Sequence, residues 1–277
     1  MADTAIREGM IHVSYDTYRD VALEAAQRAG TIIREGFGRD HTLSFKKSHS
    51  DLVTEFDRRA EAEIVRIIGS AFPDHQIIAE EGSSGGDHPD YCWYVDPIDG
   101  TTNFAHGYPL TCTSLALAER GELVLGVVYA PLLDELFVAV KGQGATRNGK
   151  SIHVSSIDRL DLSLLATGFP YDRNTVGFNV RCWEVFLHKA QGVRRDGCAA
   201  LDLCYLAMGR YDGFWEYGFA YWDMAAGTLI IREAGGVVTL PDGRPLPTVS
   251  HDVVASNGLI HQEIVAALAS AANTPTS

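Results

Sequence analysis

The chain has 277 residues, 46% of them hydrophobic and 21% charged, which is the composition of an ordinary globular protein with one large domain or two closely packed subdomains. Its formal net charge of −13 argues against binding to nucleic acid or to an anionic membrane, because both would need a basic face. No apolar run approaches the roughly 18 residues of a membrane-spanning helix. We therefore expect neither nucleic acid nor a membrane among its partners.

The five cysteines are odd in number and show no C-x-x-C spacing, which predicts reduced, mostly buried thiols. The opening sequence, "MADTAIREGMIHVSYD", has early charges and lacks the apolar core of a secretory signal. Both observations predict a cytoplasmic protein. The cysteines are Cys92, Cys112, Cys182, Cys198 and Cys204.

The first half of the chain predicts two helices followed by a sheet. Apolar residues at helical spacing predict one helix that ends at Gly36 and a second from about Thr54 to Ala71. "HQIIAEE" predicts a short strand, and "GSSGGDHPD" predicts a flexible loop. The β-branched segment from Leu110 to Ser155 is broken by R-G, A-P and N-G turns, which favours an antiparallel meander.

After residue 155 predicted strands alternate with predicted helices, the last helix being "LIHQEIVAALASAA". An α+β first half and an α/β second half predict an α/β (α+β) fold of layered helices and sheets. We place the division between an N-terminal subdomain, 1–152, and a C-terminal subdomain, 153–277, although no linker marks it.

Two short motif matches fail on their structural context. "GATRNGKS" (144–151) fits the P-loop pattern, but "SIHVS" alternates like a strand and Asn148-Gly149 is a hairpin-turn signal, so a β-turn is favoured over a nucleotide site. "GSSGG" (82–86) fits a nucleophile elbow, yet the following "DHPD" blocks the helix that this elbow requires.

Acidic residues stand at the ends of predicted strands and at one helix start. Taken singly, they have simpler explanations, as solvated loop charges, turn formers or a helix cap. If they converge, each pair of charges ~4 Å apart repels by ~4 kcal/mol at an effective dielectric of 20, a cost that bound cations would remove. The residues are Glu80 and Glu81 after "QIIA", Asp96 after "WYV", Asp99 one turn later, and Asp223 in "WDMAAG".

Oxygen ligands without His or Cys select hard cations, Mg²⁺ before Mn²⁺ or Ca²⁺. Pro97 would form a turn that directs Asp96 and Asp99 into one cleft, and a carboxylate that bridges two ions is usual in phosphoryl chemistry. The amides of Gly100 and Thr101, at a predicted helix start, would then bind a phosphate.

These residues resemble the inositol monophosphatase family. "WYVDPIDGTTNFAH" (93–106) is similar to its first signature and "WDMAAGTLIIREAGG" (222–236) to its second. Three further blocks follow in the expected order, and the resemblance covers residues 17 to 270: "DLVTEFD" (51–57), "AEEG" (79–82) and "GCAALDLCYLAMGRYDGFWE" (197–216). The resemblance implies a layered α/β/α/β/α sandwich of the inositol monophosphatase and fructose-1,6-bisphosphatase type, a homodimer, Mg²⁺ as cofactor and sensitivity to lithium.

The resemblance also implies a role for each matching residue. Asp57 and Thr101 would orient the attacking water, with Thr101 passing a proton toward Asp57. Phosphate would bind the amides of Gly100 and Thr101. The Mg²⁺ ligands would be Glu80, Asp96, the carbonyl of Ile98, Asp99 and Asp223. The substrate hydroxyls would contact Gly197, Cys198, Ala199 and Glu216.

The expected function is hydrolysis of inositol monophosphates, a small-molecule phosphate ester class. Cys198 stands where the family usually has Ser or Thr, and a thiol is a poor hydrogen-bond donor, so the substrate preference stays open. The alternatives are fructose 1,6-bisphosphate, histidinol phosphate or NADP as substrate. An alternative of another class is a catalytically idle interaction scaffold, against which the intact set of acidic residues argues.

Overall fold

Helices and β-sheets alternate in layers in the computed structural model, which describes residues 14–39, 44–45, 52–170, 176–218, 220–247 and 250–272. Residues 1–13 lie outside these ranges, and they make up most of "MADTAIREGMIHVSYD", where no secretory signal is expected. Asp51, in the block "DLVTEFD", also lies outside them. No helix within the described ranges is long and apolar enough to cross a membrane.

The helices are α1 (Tyr15–Gly36), α2 (Glu55–Ala71), α3 (Thr101–Ala105), α4 (Val176–Lys189), α5 (Ala199–Ala207), α6 (Tyr221–Glu233) and α7 (His261–Ala272). The strands of the first half are β1 (Ser44–Phe45), β2 (Leu52–Val53), β3 (His75–Ala79), β4 (Ser83–Gly85), β5 (His88–Asp99), β6 (Cys112–Glu119), β7 (Glu122–Ala130), β8 (Glu135–Val140), β9 (Ala145–Arg147) and β10 (Lys150–Ser151). Those of the second half are β11 (Leu164–Thr167), β12 (Gly192–Arg194), β13 (Gly213–Tyr217), β14 (Val237–Thr239) and β15 (Asp252–Ser256).

Two mixed sheets organise the chain. The first has the order β10-β9-β8-β7-β6-β5-β3-β4, in which only β3 and β5 are parallel. The second has the order β12-β11-β13-β15-β14, with parallel pairs on either side of β11. The strands β1 and β2 form a separate antiparallel pair.

The hydrophobic side chains separate into three clusters that lie between the layers. Helices α1 and α2 cover one face of the first sheet, through small buried residues such as Ala22, Ala29 and Ala60. Helices α5 and α6 fill the space between the two sheets, and α4 and α7 cover the outer face of the second. This succession of helix, sheet, helix, sheet and helix layers confirms the predicted fold class.

The structure corrects three local predictions. Strand β5 does not end at Asp96 but continues to Asp99 with an irregular register, because Pro97 cannot donate to the ladder and the chain bulges around it. The predicted loop "GSSGG" contains β4, which pairs with β3 at the edge of the sheet. Strand β12 was missed, since three residues carry no readable alternation.

The rejection of both short motifs agrees with the structure, since neither segment leads into the helix that its motif requires. Asn148 and Gly149 have φ of 48° and 74° and join β9 to β10 as a hairpin, so no helix follows the Lys150-Ser151 pair. No helix follows "GSSGG" either, where β5 begins at His88. The division of the chain at residue 152 stays a prediction.

Candidate active site

The first turn of α2 fixes the carboxylate of Asp57. Thr54 caps this helix, and its backbone N–H and hydroxyl donate to Asp57 Oδ2 at 2.8 and 2.5 Å. The hydroxyl of Thr101 donates to the other oxygen, Oδ1, at 3.0 Å. Burial raises the pKa of Asp57 to about 6, aided by the nearby charge of Glu80 and opposed by the hydrogen bonds from Thr54.

The bulged end of β5 carries Asp96 and Asp99 immediately before α3. Asp96 is 2% exposed, and its Oδ1 accepts the backbone N–H of Ile98 at 3.0 Å. The carbonyl oxygen of Ile98 also lies 3.0 Å from the Thr101 hydroxyl and is the alternative acceptor of its single proton. Asp99 Oδ2 accepts the N–H of Ala200 at 2.7 Å, which ties the first sheet to α5.

Gly100 makes the turn from β5 into α3. Its φ of +84° is a left-handed conformation, and a Cβ there would lie 2.8 Å from the carbonyl oxygen of Leu110. Gly100 is the N-cap of α3, and Thr101 is its first residue. The two amides proposed for phosphate binding thus lie at the start of a helix, and the Thr101 side chain hydrogen-bonds Asp57.

Asp223 comes to this site from the second half of the chain. It is the third residue of α6, and its Oδ2 accepts the N–H of Ala220 at 3.2 Å, so it also caps the helix. Its pKa is raised well above the ordinary value, first by burial and then by the charges of Glu80, Asp99 and Glu216.

The acidic residues lie close enough together for their charges to raise one another's pKa values. The pKa of Asp96 is raised well above its usual value by burial and by three neighbouring carboxylates, those of Glu80, Asp99 and Asp223. Burial also raises the pKa of Asp99 to about 6, although the N–H of Ala200 opposes this. The nearby Glu81 is positioned by α2, where Glu61 Oε2 accepts its backbone N–H at 2.7 Å.

The predicted substrate residues lie at the junction of α5 and the second sheet. Gly197 has φ of +79°, Cys198 is the N-cap of α5 and Ala199 its first residue. Glu216, on β13, is 6% exposed, and its Oε2 has no hydrogen-bond partner. Burial and the charge of Asp99 raise the pKa of Glu216 to about 8, opposed by Arg195.

Three residues that shape this region were not predicted as site residues. Thr54 could have been found, because Thr-x-x-Asp before an apolar helix is a capping-box signal. Asn103 donates from Nδ2 to the carbonyl oxygens of Leu110 and Asp196, both at 2.8 Å, and so joins α3 to the approach to α5. No short-range pattern indicated Cys112, whose Sγ lies 3.9 Å from Asp99 Oδ2.

The donor set suits hard divalent cations. The carboxylates of Glu80, Asp96, Asp99 and Asp223 supply oxygen alone, which is the ligand preference of Mg²⁺. Their mutual repulsion, seen in the raised pKa of Asp96 and Asp223, is the energy that a bound cation would remove. The residues present therefore fit a Mg²⁺ site, and their individual roles stay predictions.

The layered fold is that of a family of phosphatases. The chain belongs to the inositol monophosphatase family, whose model matches residues 14–273. It is 48% identical over 256 residues to an inositol-1-monophosphatase from Synechocystis sp., a match that covers 91% of this chain and 89% of that protein. The resemblance predicted from the sequence is confirmed.

Two other relatives widen the comparison. The chain is 43% identical over 227 residues to Nus factor SuhB of Pseudomonas aeruginosa, covering 79% of this chain and 84% of that protein. The solved inositol monophosphatase from Anabaena (Nostoc) sp. superposes with a TM-score of 0.84 at 42% identity, covering 93% of this chain and 97% of that one. Family and fold are thus shown, whereas the relatives do not share one name.

Proposed function

We propose that this protein is a Mg²⁺-dependent phosphomonoesterase that hydrolyses inositol monophosphates to inositol and phosphate. One observation carries the proposal: the charges of Glu80, Asp99 and Asp223 all act on the buried Asp96. The backbone of Ile98 joins Asp96 to Thr101, whose hydroxyl donates to Asp57. The name of the Synechocystis relative, an inositol-1-monophosphatase, supports inositol monophosphate as substrate.

The mechanism divides between the cation site and the Thr101–Asp57 pair. When bound, Mg²⁺ supplies Lewis-acid chemistry, activating water and neutralising charge on the leaving oxygen. The Thr101 hydroxyl lies 3.0 Å from Asp57 Oδ1, so it accepts a proton from the attacking water while its own proton moves to the carboxylate. The two hydrogen bonds from Thr54 hold Asp57 in this orientation.

The amides of Gly100 and Thr101 would bind the phosphate group, since both precede the hydrogen-bonded turn of α3. Glu216 would accept a hydroxyl of the alcohol part of the substrate, because its buried Oε2 otherwise has no partner. The start of α5, at Gly197, Cys198 and Ala199, forms the adjoining surface.

The remaining parts of the proposal concern the assembly and its setting. We propose inhibition by lithium and a homodimer, both on the strength of the family resemblance. Exposed apolar side chains on one face of α4, Val180 and Leu187, support a protein contact there. The five free cysteines support a reducing, cytoplasmic setting.

A phosphate-release screen tests the function. Purified protein is assayed with Mg²⁺ against inositol 1-phosphate, fructose 1,6-bisphosphate, histidinol phosphate, NADP and ATP. We expect inositol 1-phosphate to give the highest kcat/KM, and excess EDTA to abolish release. Undiminished turnover in EDTA would contradict the metal mechanism, and a higher kcat/KM on another ester would reassign the substrate.

A second candidate, a role as a binding partner in a larger assembly, is favoured by the similarity to proteins named Nus factor SuhB. The two functions separate if turnover fails on every ester although the protein binds Mg²⁺. That outcome would favour the assembly role, whereas Mg²⁺-dependent turnover on any of them would establish the enzyme.

A further inference from the structure

Two thiols and one carboxylate meet beneath the proposed active site. The sulfur atoms of Cys112 and Cys198 lie 3.5 Å apart, and Cys112 Sγ lies 3.9 Å from Asp99 Oδ2. One donor atom from each of the three residues falls within 4.8 Å of the other two. Both cysteines are free thiols, and both are almost fully buried.

The fold holds these three residues in place from separate elements. Cys112 begins β6 and is the register partner of Asp99 at the end of β5. Cys198 is the N-cap of α5. The backbone N–H of Ala200, two residues later, donates to Asp99 Oδ2 at 2.7 Å. Asp99 is the most exposed of the three, so a cation would reach the two thiols from its side.

Two of the three donor separations are close to those of a tetrahedral zinc site, and the third is within 4.8 Å. Zinc takes Cys sulfur at about 2.3 Å and carboxylate oxygen at about 2.0–2.2 Å, which in a tetrahedron separates two sulfurs by about 3.8 Å and a sulfur from an oxygen by about 3.6 Å. The observed separations of 3.5 and 3.9 Å differ from these values by a few tenths of an ångström.

The donor chemistry selects a different class of ion from the carboxylate centre. Thiolates bind Zn²⁺ and other thiophilic cations, whereas Mg²⁺ takes oxygen ligands. We propose that Asp99, Cys112 and Cys198 form a site for a thiophilic divalent cation, with Zn²⁺ as the expected ion. Water completes the fourth position, and the two thiol protons pass to solvent as the thiolates bind.

The site has a consequence for the proposed reaction because Asp99 belongs to both centres. A zinc ion held by Cys112 and Cys198 also binds the Asp99 carboxylate, which is then not free to bind Mg²⁺. The ion lies next to the amides at the start of α5. Zn²⁺ is therefore an inhibitor whose strength depends on the two thiols. This consequence rests on the proposed function, whereas metal binding does not.

Binding is tested with Cd²⁺, a spectroscopic substitute for Zn²⁺. Reduced, metal-free protein is titrated with Cd²⁺, and sulfur-to-metal charge-transfer absorbance is followed in the ultraviolet. We expect one equivalent to bind with this absorbance, and Zn²⁺ to displace it. Removing a residue that only hydrogen-bonds a metal ligand weakens metal binding by about 10–100-fold. Cys112 and Cys198 are proposed as direct ligands, so Cys112→Ser and Cys198→Ser should each weaken Cd²⁺ binding by about 100-fold or more.

The matched control is Cys92→Ser, a partly exposed thiol on β5 away from Asp99, which should leave the absorbance unchanged. Absence of the absorbance in the wild type, or its persistence in both Ser variants, would overturn the proposal. If a Ser variant does not fold by circular dichroism, a zinc-soaked crystal of the wild type decides. Its anomalous peak must lie between the three side chains, and a peak among the carboxylates alone refutes the site.

Inhibition is measured separately, in saturating Mg²⁺, with each variant normalised to its own uninhibited rate. We expect Zn²⁺ to inhibit wild type and Cys92→Ser at the same concentration and to require about 100-fold more for Cys112→Ser. If no ester is hydrolysed but the charge-transfer band is present, the proposed function fails and the thiol site stands. Equal inhibition of wild type and Cys112→Ser would refute the link between the two centres.

Discussion

Single carboxylates in this site oppose folding when no cation is bound. Asp223 shows this most clearly, because burial and three neighbouring charges raise its pKa, yet its Oδ2 also caps α6. An amide at this position keeps the capping oxygen and removes the charge. The residues that would bind Mg²⁺ thus decrease the stability of the metal-free protein.

Asp223→Asn should therefore separate stability from activity. We expect it to raise the free energy of unfolding of the metal-free protein by about 1–2 kcal/mol, because it removes charge repulsion. Turnover should fall by about 100-fold or more, since a metal ligand is lost. Urea unfolding in EDTA and a phosphate-release assay measure the two effects.

Asp134→Asn is the matched control, because Asp134 is exposed, and Asn tolerates its φ of 54°. It should change neither stability nor turnover. Near-normal turnover in Asp223→Asn would show that Asp223 only caps α6.

Thr101→Val tests the proton path, since it keeps the shape of the side chain and removes the hydroxyl that bridges Asp57 and the Ile98 carbonyl. We expect kcat to fall by about 10²–10⁴-fold, the range for a positioned acid–base group. Thr101→Ser should restore much of the rate. Stabilisation by Mg²⁺, followed by thermal unfolding, should be retained in both variants. A Val variant with wild-type kcat would remove Thr101 from the mechanism.

The contact between the end of β11 and β13 positions Glu216. Gly168 follows β11 directly, and a Cβ there would lie 2.1 Å from Glu216 Oε1. The carboxylate is at the end of a flexible side chain and can move away, so the fold tolerates a side chain at residue 168. The Glu216 carboxylate is then displaced from its present position.

Gly168→Ala should therefore raise KM by about tenfold, the value of one hydrogen bond, and leave the Mg²⁺ requirement unchanged. Gly177→Ala, at an exposed site in α4 with no atom within 4 Å of its Cβ, is the control. Steady-state kinetics with inositol 1-phosphate measures both. An unchanged KM for Gly168→Ala would exclude contact between Glu216 and the substrate.

The elements that were predictable from the sequence are those with long, regular patterns. Helices α1 and α2 and the meander from β6 to β10 carry clear periodicity, and the structure has them where the sequence predicts them. Strand β12 was too short to show a pattern, and β5 continues past Asp96 because neighbouring β6 supports a bulge at Pro97.

The same limit applies to the site. Asp96, Asp99, Gly100 and Thr101 are close along the chain, so one motif indicated them together. The contact of Cys112 with Cys198 joins residues 86 positions apart, and that of Gly168 with Glu216 joins two strands. Such contacts depend on sheet order, which the sequence pattern did not provide.

At the scale of the whole molecule, the buried carboxylates predict how stability depends on pH. Asp57, Asp99 and Glu216 have pKa values raised from 3.8, 3.8 and 4.5 to about 6, about 6 and about 8. A raised pKa means that the folded protein binds protons more tightly than the unfolded chain. Their contribution to stability is complete below the unfolded pKa values and is lost as the pH rises through the folded ones.

In EDTA, we therefore expect the free energy of unfolding to decrease as the pH rises from 5 to 8. Saturating Mg²⁺ should reduce this slope, because bound cations neutralise the charges. Urea unfolding at several pH values, with EDTA or with Mg²⁺, measures it. Stability in EDTA that increases over this interval would contradict the assignment of buried, mutually repelling carboxylates.

Helices α5 and α6 lie between the two sheets, and this placement bears on the order of folding. Asp57 and Asp223 are more than half the chain apart, and Asp223 reaches the others only after α6 has docked on the first sheet. The cation site is thus complete only in the finished molecule. Because the site is completed by this late contact, we expect Mg²⁺ to slow unfolding without accelerating refolding.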